Sequence, residues 1–148
     1  ATEEDGWMAL MFASQNGHEL CARALIEARA NVDATEEDGW TALMWATLSG
    51  HELCARALIE AKAAVDAQNK KGMTALMLAS SSGHEMCARA LIEARANVDA
   101  TEEDGWTALM FASQNGHELC ARALIEARAN VDATEEDGWM ALMFASQN

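Results

Sequence analysis

Apolar and polar positions alternate along the chain in a pattern that restarts every 33 residues. The unit from 102 to 134 shows it most fully. A polar cluster, Glu102-Glu103-Asp104-Gly105, reads as a tight turn whose glycine takes positive φ. Thr107 then stands where an N-cap belongs, ahead of a short helix from Ala108 to about Asn115 that is apolar nearly all round, as a helix covered on both sides must be. Gly116 stops it in the C′ role. A second helix is predicted from about His117 to Ala127, with Leu119, Cys120, Ala123, Leu124 and Ala127 on one buried face and Glu118 and Arg122 on the other. The pair Glu118 and Arg122, acid four residues before base, recurs as Glu19 with Arg23, Glu52 with Arg56 and Glu85 with Arg89, each worth about 0.2 to 0.5 kcal/mol.

Glycines at 6, 39, 72, 105 and 138 keep the period without a slip, as do those at 17, 50, 83 and 116. Residues 1–16 are identical to 133–148, so four periods are followed by half of a fifth. Helices this short cannot bury their apolar faces alone. Stacking of one unit on the next must supply the core, which makes the expected architecture a quasi-one-dimensional all-α solenoid.

The turn glycine, the Thr-Ala-Leu runs at 41–43, 74–76 and 107–109, the four Gly-His pairs beginning at Gly17, and the closing Val-Asp-Ala together resemble the ankyrin repeat family over the whole chain. The resemblance implies one ankyrin-repeat domain over 1–148, with units about 3–35, 36–68, 69–101 and 102–134 and a half unit 135–148. It also implies a non-catalytic protein-binding module that meets partners through its turn tips and first helices. Two departures stand out. The Pro and His that the family places after the Thr are Ala and Met here, and the Gly that usually ends the second helix is Arg29, Lys62, Arg95 or Arg128. A non-Gly residue in the left-handed region is strained by roughly 1 to 2 kcal/mol, so these four must accept that strain with the side chain in solvent or end the helix differently.

Charge narrows the choice of partner. The net charge of -14, from 24 acidic against 10 basic residues, disfavours nucleic acid and anionic membranes and favours a basic protein or peptide. No apolar run approaches the roughly 18 residues that span a bilayer, and no signal peptide is visible, so a cytoplasmic, reducing setting is expected, or a recombinant piece of a longer array. Half of the acidic residues lie on the turn tips 3–5, 36–38, 102–104 and 135–137, as a solvated edge or as an acidic track for a basic partner.

Candidate chemistry is thin. Cys21, Cys54, Cys87 and Cys120, one per unit, read as four buried free thiols rather than disulfides or zinc ligands. His18, His51, His84 and His117 each precede Glu, but the second His of a zinc-protease helix is replaced by Ala, and the resemblance implies a structural ring bonded to loop backbone. No cofactor, metal or catalytic group is expected.

The informative positions are those where the units differ. Trp45 replaces Phe, Thr47-Leu48-Ser49 replaces Ser-Gln-Asn, and 68–73 turns an acidic tip into a basic one with Lys70 and Lys71. Trp7, Trp40, Trp106 and Trp139 follow the turn glycine in four units, and Met73 stands there in the other; these rings are either binding anchors or packing along the stack. A binding site is therefore expected at Trp40, Leu48, Lys70, Lys71, Met73 and Trp106. Met8 and Met140 replace the capping Thr, and Met8, Phe12, Met143 and Phe144 leave apolar ends that favour end-to-end homo-association. Near-identity of the units gives the alternative reading: an engineered or structural array with no natural ligand that self-associates end to end.

Overall fold

The computed structural model describes residues 3–129 and 131, with 3–5 as backbone only. Among the described residues there are eight helices and no strand: α1 Glu3–Asn16, α2 Glu19–Glu27, α3 Ala42–Leu48, α4 Glu52–Glu60, α5 Ala75–Ser82, α6 Glu85–Glu93, α7 Ala108–Gln114 and α8 Glu118–Glu126. Each odd helix packs on the even helix that follows it. The odd helices also stack in one row and the even helices in another, which is the expected solenoid. The half unit 135–148, with Met140, Met143 and Phe144, lies outside the described residues.

Local chemistry explains where the helices start. Thr41, Thr74 and Thr107 hold extended backbone, ψ 166°, 165° and 167°. Their Oγ1 atoms accept hydrogen bonds from the amides of Met44, Met77 and Met110 at 3.2, 3.2 and 3.3 Å. The first unit differs from the expectation. With Met8 in place of the capping Thr, α1 runs back through Gly6 to Glu3, so the segment 3–6 that reads as a turn is helical. The later turns are each tied to the one before, Lys70 N–H to the Asp38 carbonyl and Glu103 N–H to the Lys71 carbonyl, both at 3.0 Å.

The ends of the even helices settle the question raised by the missing glycine. Arg29, Lys62, Arg95 and Arg128 all adopt φ between 67° and 69°, with exposed side chains. In each copy the amide of this residue bonds the carbonyl three back, and the next amide bonds five back, as in Arg29 to Ile26 at 2.9 Å and Ala30 to Leu25 at 3.0 Å. That is a Schellman ending built on the wrong residue type: the hydrogen bonds are made and the backbone strain is accepted.

Leu10, Leu43, Leu58, Leu76, Leu91 and Leu124 form the buried spine between the two rows. One expectation fails in α8: Cys120, Ala123 and Leu124 are buried, but Leu119 is exposed. At 100° per residue the centre of the buried stripe falls near Cys120, Ala123, Leu124 and Ala127, which leaves Leu119 on its flank in the first turn.

Cys21 departs from its copies for a related reason. Cys54 and Cys120 face backwards along the stack, Cys54 Sγ to the Ala13 carbonyl at 3.9 Å and Cys120 Sγ to that of Ala79 at 4.0 Å. Cys54, Cys87 and Cys120 are buried, while Cys21, which no described unit covers, is exposed. Burial pushes the thiols up, Cys87 to about 12 and Cys120 to about 11. In folded protein at neutral pH a thiol reagent is expected to modify Cys21 quickly and the other three only at the rate of unfolding; equal labelling of all four contradicts the burial. Unfolded thiols ionise at lower pH than these folded ones. The stability they contribute is present below about 9 and is lost as pH rises towards 11 to 12.

Candidate protein-binding face

The turn tips are built around one inward acceptor each. Glu36 Oε1 accepts from the amides of Asp38 at 2.7 Å and Trp40 at 3.0 Å. Glu102 Oε1 does the same for Asp104 at 2.8 Å and Trp106 at 2.9 Å. In the odd unit out, Asn69 Oδ1 serves Lys71 and Met73, both at 3.0 Å. The first residue of each tip is thus a structural acceptor. The acidic edge consists of the second and third, Glu37 with Asp38 and Glu103 with Asp104, all exposed. Gly39, Gly72 and Gly105 take φ of 84°, 82° and 85°, as the turn requires.

Between these two acidic tips lies the basic one. Lys70 and Lys71 are exposed, and neither forms an ion pair with another described residue. The side-chain amide of Gln68 fixes this tip to its neighbour, donating to the Gly72 carbonyl at 2.8 Å and to that of Thr101 at 3.0 Å. The row of tips therefore reads acidic, basic, acidic on a rigid backbone ladder.

Behind the tips stand the rings. Trp40 stacks on Trp45 with centroids 4.5 Å apart and planes at 30°, and Trp106 packs on Phe111 at 5.1 Å and 37°. Trp40 and Trp106 each pair with an aromatic residue of the following first helix in their own unit. Sequence reasoning missed this partnership, although a ring five residues after each Trp was the signal. Trp40, Trp45, Trp106 and Met73 are half-buried; in the middle unit Met73 and Leu78 give no aromatic pair. Leu48, the last residue of α3, is also half-buried. All six expected site residues thus sit on the tips or first helices, on the odd-helix side of the stack.

The histidines do something other than bond loop backbone. None caps its helix through its side chain. The rings of His51, His84 and His117 instead press against the glycine of the preceding unit: a Cβ added at Gly17, Gly50 or Gly83 would lie 2.6 to 2.7 Å from a ring atom. They are inter-unit packing pieces. Among the described residues no group of three or more His, Cys, Asp and Glu side chains is placed to hold a metal ion.

A family model for ankyrin repeats, in three copies, matches residues 1–69, 58–135 and 95–148. The chain belongs to the ankyrin-repeat family. No curated protein matches it over its length or any part. Ankyrin repeats generally mediate protein–protein interaction and are typically non-catalytic. Among the described residues no helix is long and apolar enough to cross a membrane.

Proposed function

We propose that this ankyrin domain, taken as 1–148, is a non-catalytic scaffold that binds a protein or peptide across the tips and first helices of its middle units. The observation that carries the reading is the coincidence of two things in one place. Among the residues that break the repeat, Leu48 lies on the same helix as Trp45, which stacks on Trp40, and Lys70, Lys71 and Met73 lie on the next tip, tied to the Trp40 tip through Lys70 N–H and the Asp38 carbonyl. Trp106 extends the surface by one unit. A rigid aromatic base with exposed charges in front of it suits anchoring by the rings and steering by the tips. The flanking acidic tips favour basic groups in the partner. Four free thiols, three of them buried, suit a reducing intracellular compartment.

The test is substitution of Leu48→Ala and Lys71→Glu, with the partner captured on the full chain as the probe. Each is expected to weaken binding at least several-fold while the thermal unfolding curve stays where it was. Unchanged affinity in both removes the middle units from the site.

A second reading has one observation in its favour. Met8 and Phe12 are exposed large apolar residues on α1. They support end-to-end association of copies, as an array with no other ligand would show; Met143 and Phe144, the other two residues expected to take part, lie outside the described residues.

A further inference from the structure

The even-helix side of the stack carries a feature that partner binding at the tips leaves unused. Leu20, Leu53, Met86 and Leu119 are 80%, 57%, 50% and 57% exposed. Each is the second residue of its helix, α2, α4, α6 and α8, and these helices stack in order. The four side chains therefore form one apolar line along the solenoid, with a repeat distance of roughly 8 to 10 Å. Single exposed leucines need no explanation, but a row in which every unit contributes one does.

Hollows accompany the line: two lie between successive even helices, lined by Ile59 and Ala90 and by Ile92 and Ala123 among others. Beside Leu53 lies a depression of about 320 Å³ lined by Gly17, Glu19, Gly50, His51, Glu52 and Cys54. The His51 ring, packed over Gly17, forms part of its wall. The same Gly-His-Glu-apolar sequence recurs at the next two junctions, through Met86 and Leu119.

Charge on this side is matched internally. Arg23 bonds Glu19 of its own helix at 2.7 Å and Glu60 of the next at 3.1 Å, and Arg56 and Arg89 repeat the ladder with Glu52 and Glu93 and with Glu85 and Glu126. The even helices with the residue closing each carry eight acidic and eight basic residues, so the net charge of -14 comes entirely from the rest of the chain. A basic or acidic partner gains nothing here. Another face with no net charge, studded with apolar residues at the same spacing, is what fits.

We propose that the even-helix face pairs with the same face of a second copy of this chain, back to back, the apolar line of one lying in the hollows of the other. A two-fold interface needs a surface that holds both the projections and the spaces for them, and this one does. Back-to-back pairing also keeps the acidic tips of the two copies on opposite outer sides. The line is only roughly 24 to 30 Å long, the low end for a specific interface, so the dimer is weak and appears at high protein concentration.

Sedimentation equilibrium over a wide concentration range tests this, using the full chain, the double variant L53E/M86E, and F12E. The wild type is expected to rise from the mass of one chain to that of two and stop there. The L53E/M86E chain is expected to stay at one, with circular dichroism and thermal melt unchanged because both sites are exposed. F12E, which removes the apolar end, is expected to dimerise like the wild type. Added salt is expected to leave the dimer intact or strengthen it by screening the like charges of the two chains. A wild type that stays monomeric, a double variant that folds and dimerises undiminished, loss of the dimer in F12E, or growth beyond two chains each overturns the proposal, the last two in favour of end-to-end assembly.

Discussion

Glycine at all four of positions 29, 62, 95 and 128 is expected to raise the unfolding free energy by roughly 2 to 4 kcal/mol. Each of Arg29, Lys62, Arg95 and Arg128 is held at φ 67° to 69°, where a side chain is strained by about 1 to 2 kcal/mol. Glycine removes that strain and returns about 0.5 to 1 kcal/mol of it through its larger unfolded-state entropy. Both hydrogen bonds of the ending use backbone atoms, so they survive the change. The four side chains are exposed and no ion pair uses them among the described residues, so little else is lost. Urea unfolding of the quadruple variant measures the gain. A midpoint at or below that of the parent contradicts the left-handed ending.

Gly72→Ala and Gly6→Ala should move stability in opposite directions, although the two glycines occupy the same place in the repeat. Gly72 has φ 82°, and a Cβ there would lie 3.0 Å from the backbone of Glu102 and Glu103, which the ladder of tips holds fixed. Strain and clash together are expected to cost about 2 kcal/mol or more. Gly6 lies within α1 and a Cβ would meet Ala30 at an ordinary 3.7 Å, so alanine there is expected to stabilise by up to about 1 kcal/mol through helix propensity. If Gly6→Ala destabilises as Gly72→Ala does, the first unit carries a turn after all and α1 starts near residue 9.

That pair of glycines also marks how far the sequence could be read. Whatever depends on a residue and its near neighbours was legible: the Thr caps, the helix-stopping glycines, the acid-base pairs at four-residue spacing, and the strained Arg and Lys endings. Periodicity then supplied the stack, because only neighbouring units can cover helices of seven to nine residues. What escaped depends on what stands next to a unit. Cys21 has the sequence of its copies and none of their burial. The 3–6 segment has the letters of a turn but is followed by Met8 where the other units have a capping Thr, and it is helical. Leu119 was assigned to the buried face from spacing that its flank position only just fails to meet. The inward turn of Glu36 and Glu102 was hidden because a carboxylate on a polar tip looks alike whether it accepts two amides or faces water. Asn69 was the available clue: in the one basic tip, that position alone keeps a side-chain acceptor. For the site, the departures at Leu48, Lys70, Lys71 and Met73 were visible as departures. The stacking of Trp40 on Trp45 was not, since it requires knowing which way the first helix faces.

Hydrogen exchange with and without a partner captured on the full chain reads the binding face without choosing residues in advance. The expected result is slowed exchange at the amides of 36–48 and 69–82, the middle tips and first helices, with weaker protection reaching 102–111 and none along α4 and α6. Protection confined to the even helices, with the amides of Trp40, Lys71 and Met73 exchanging as in the free chain, would contradict a scaffold that binds through its tips.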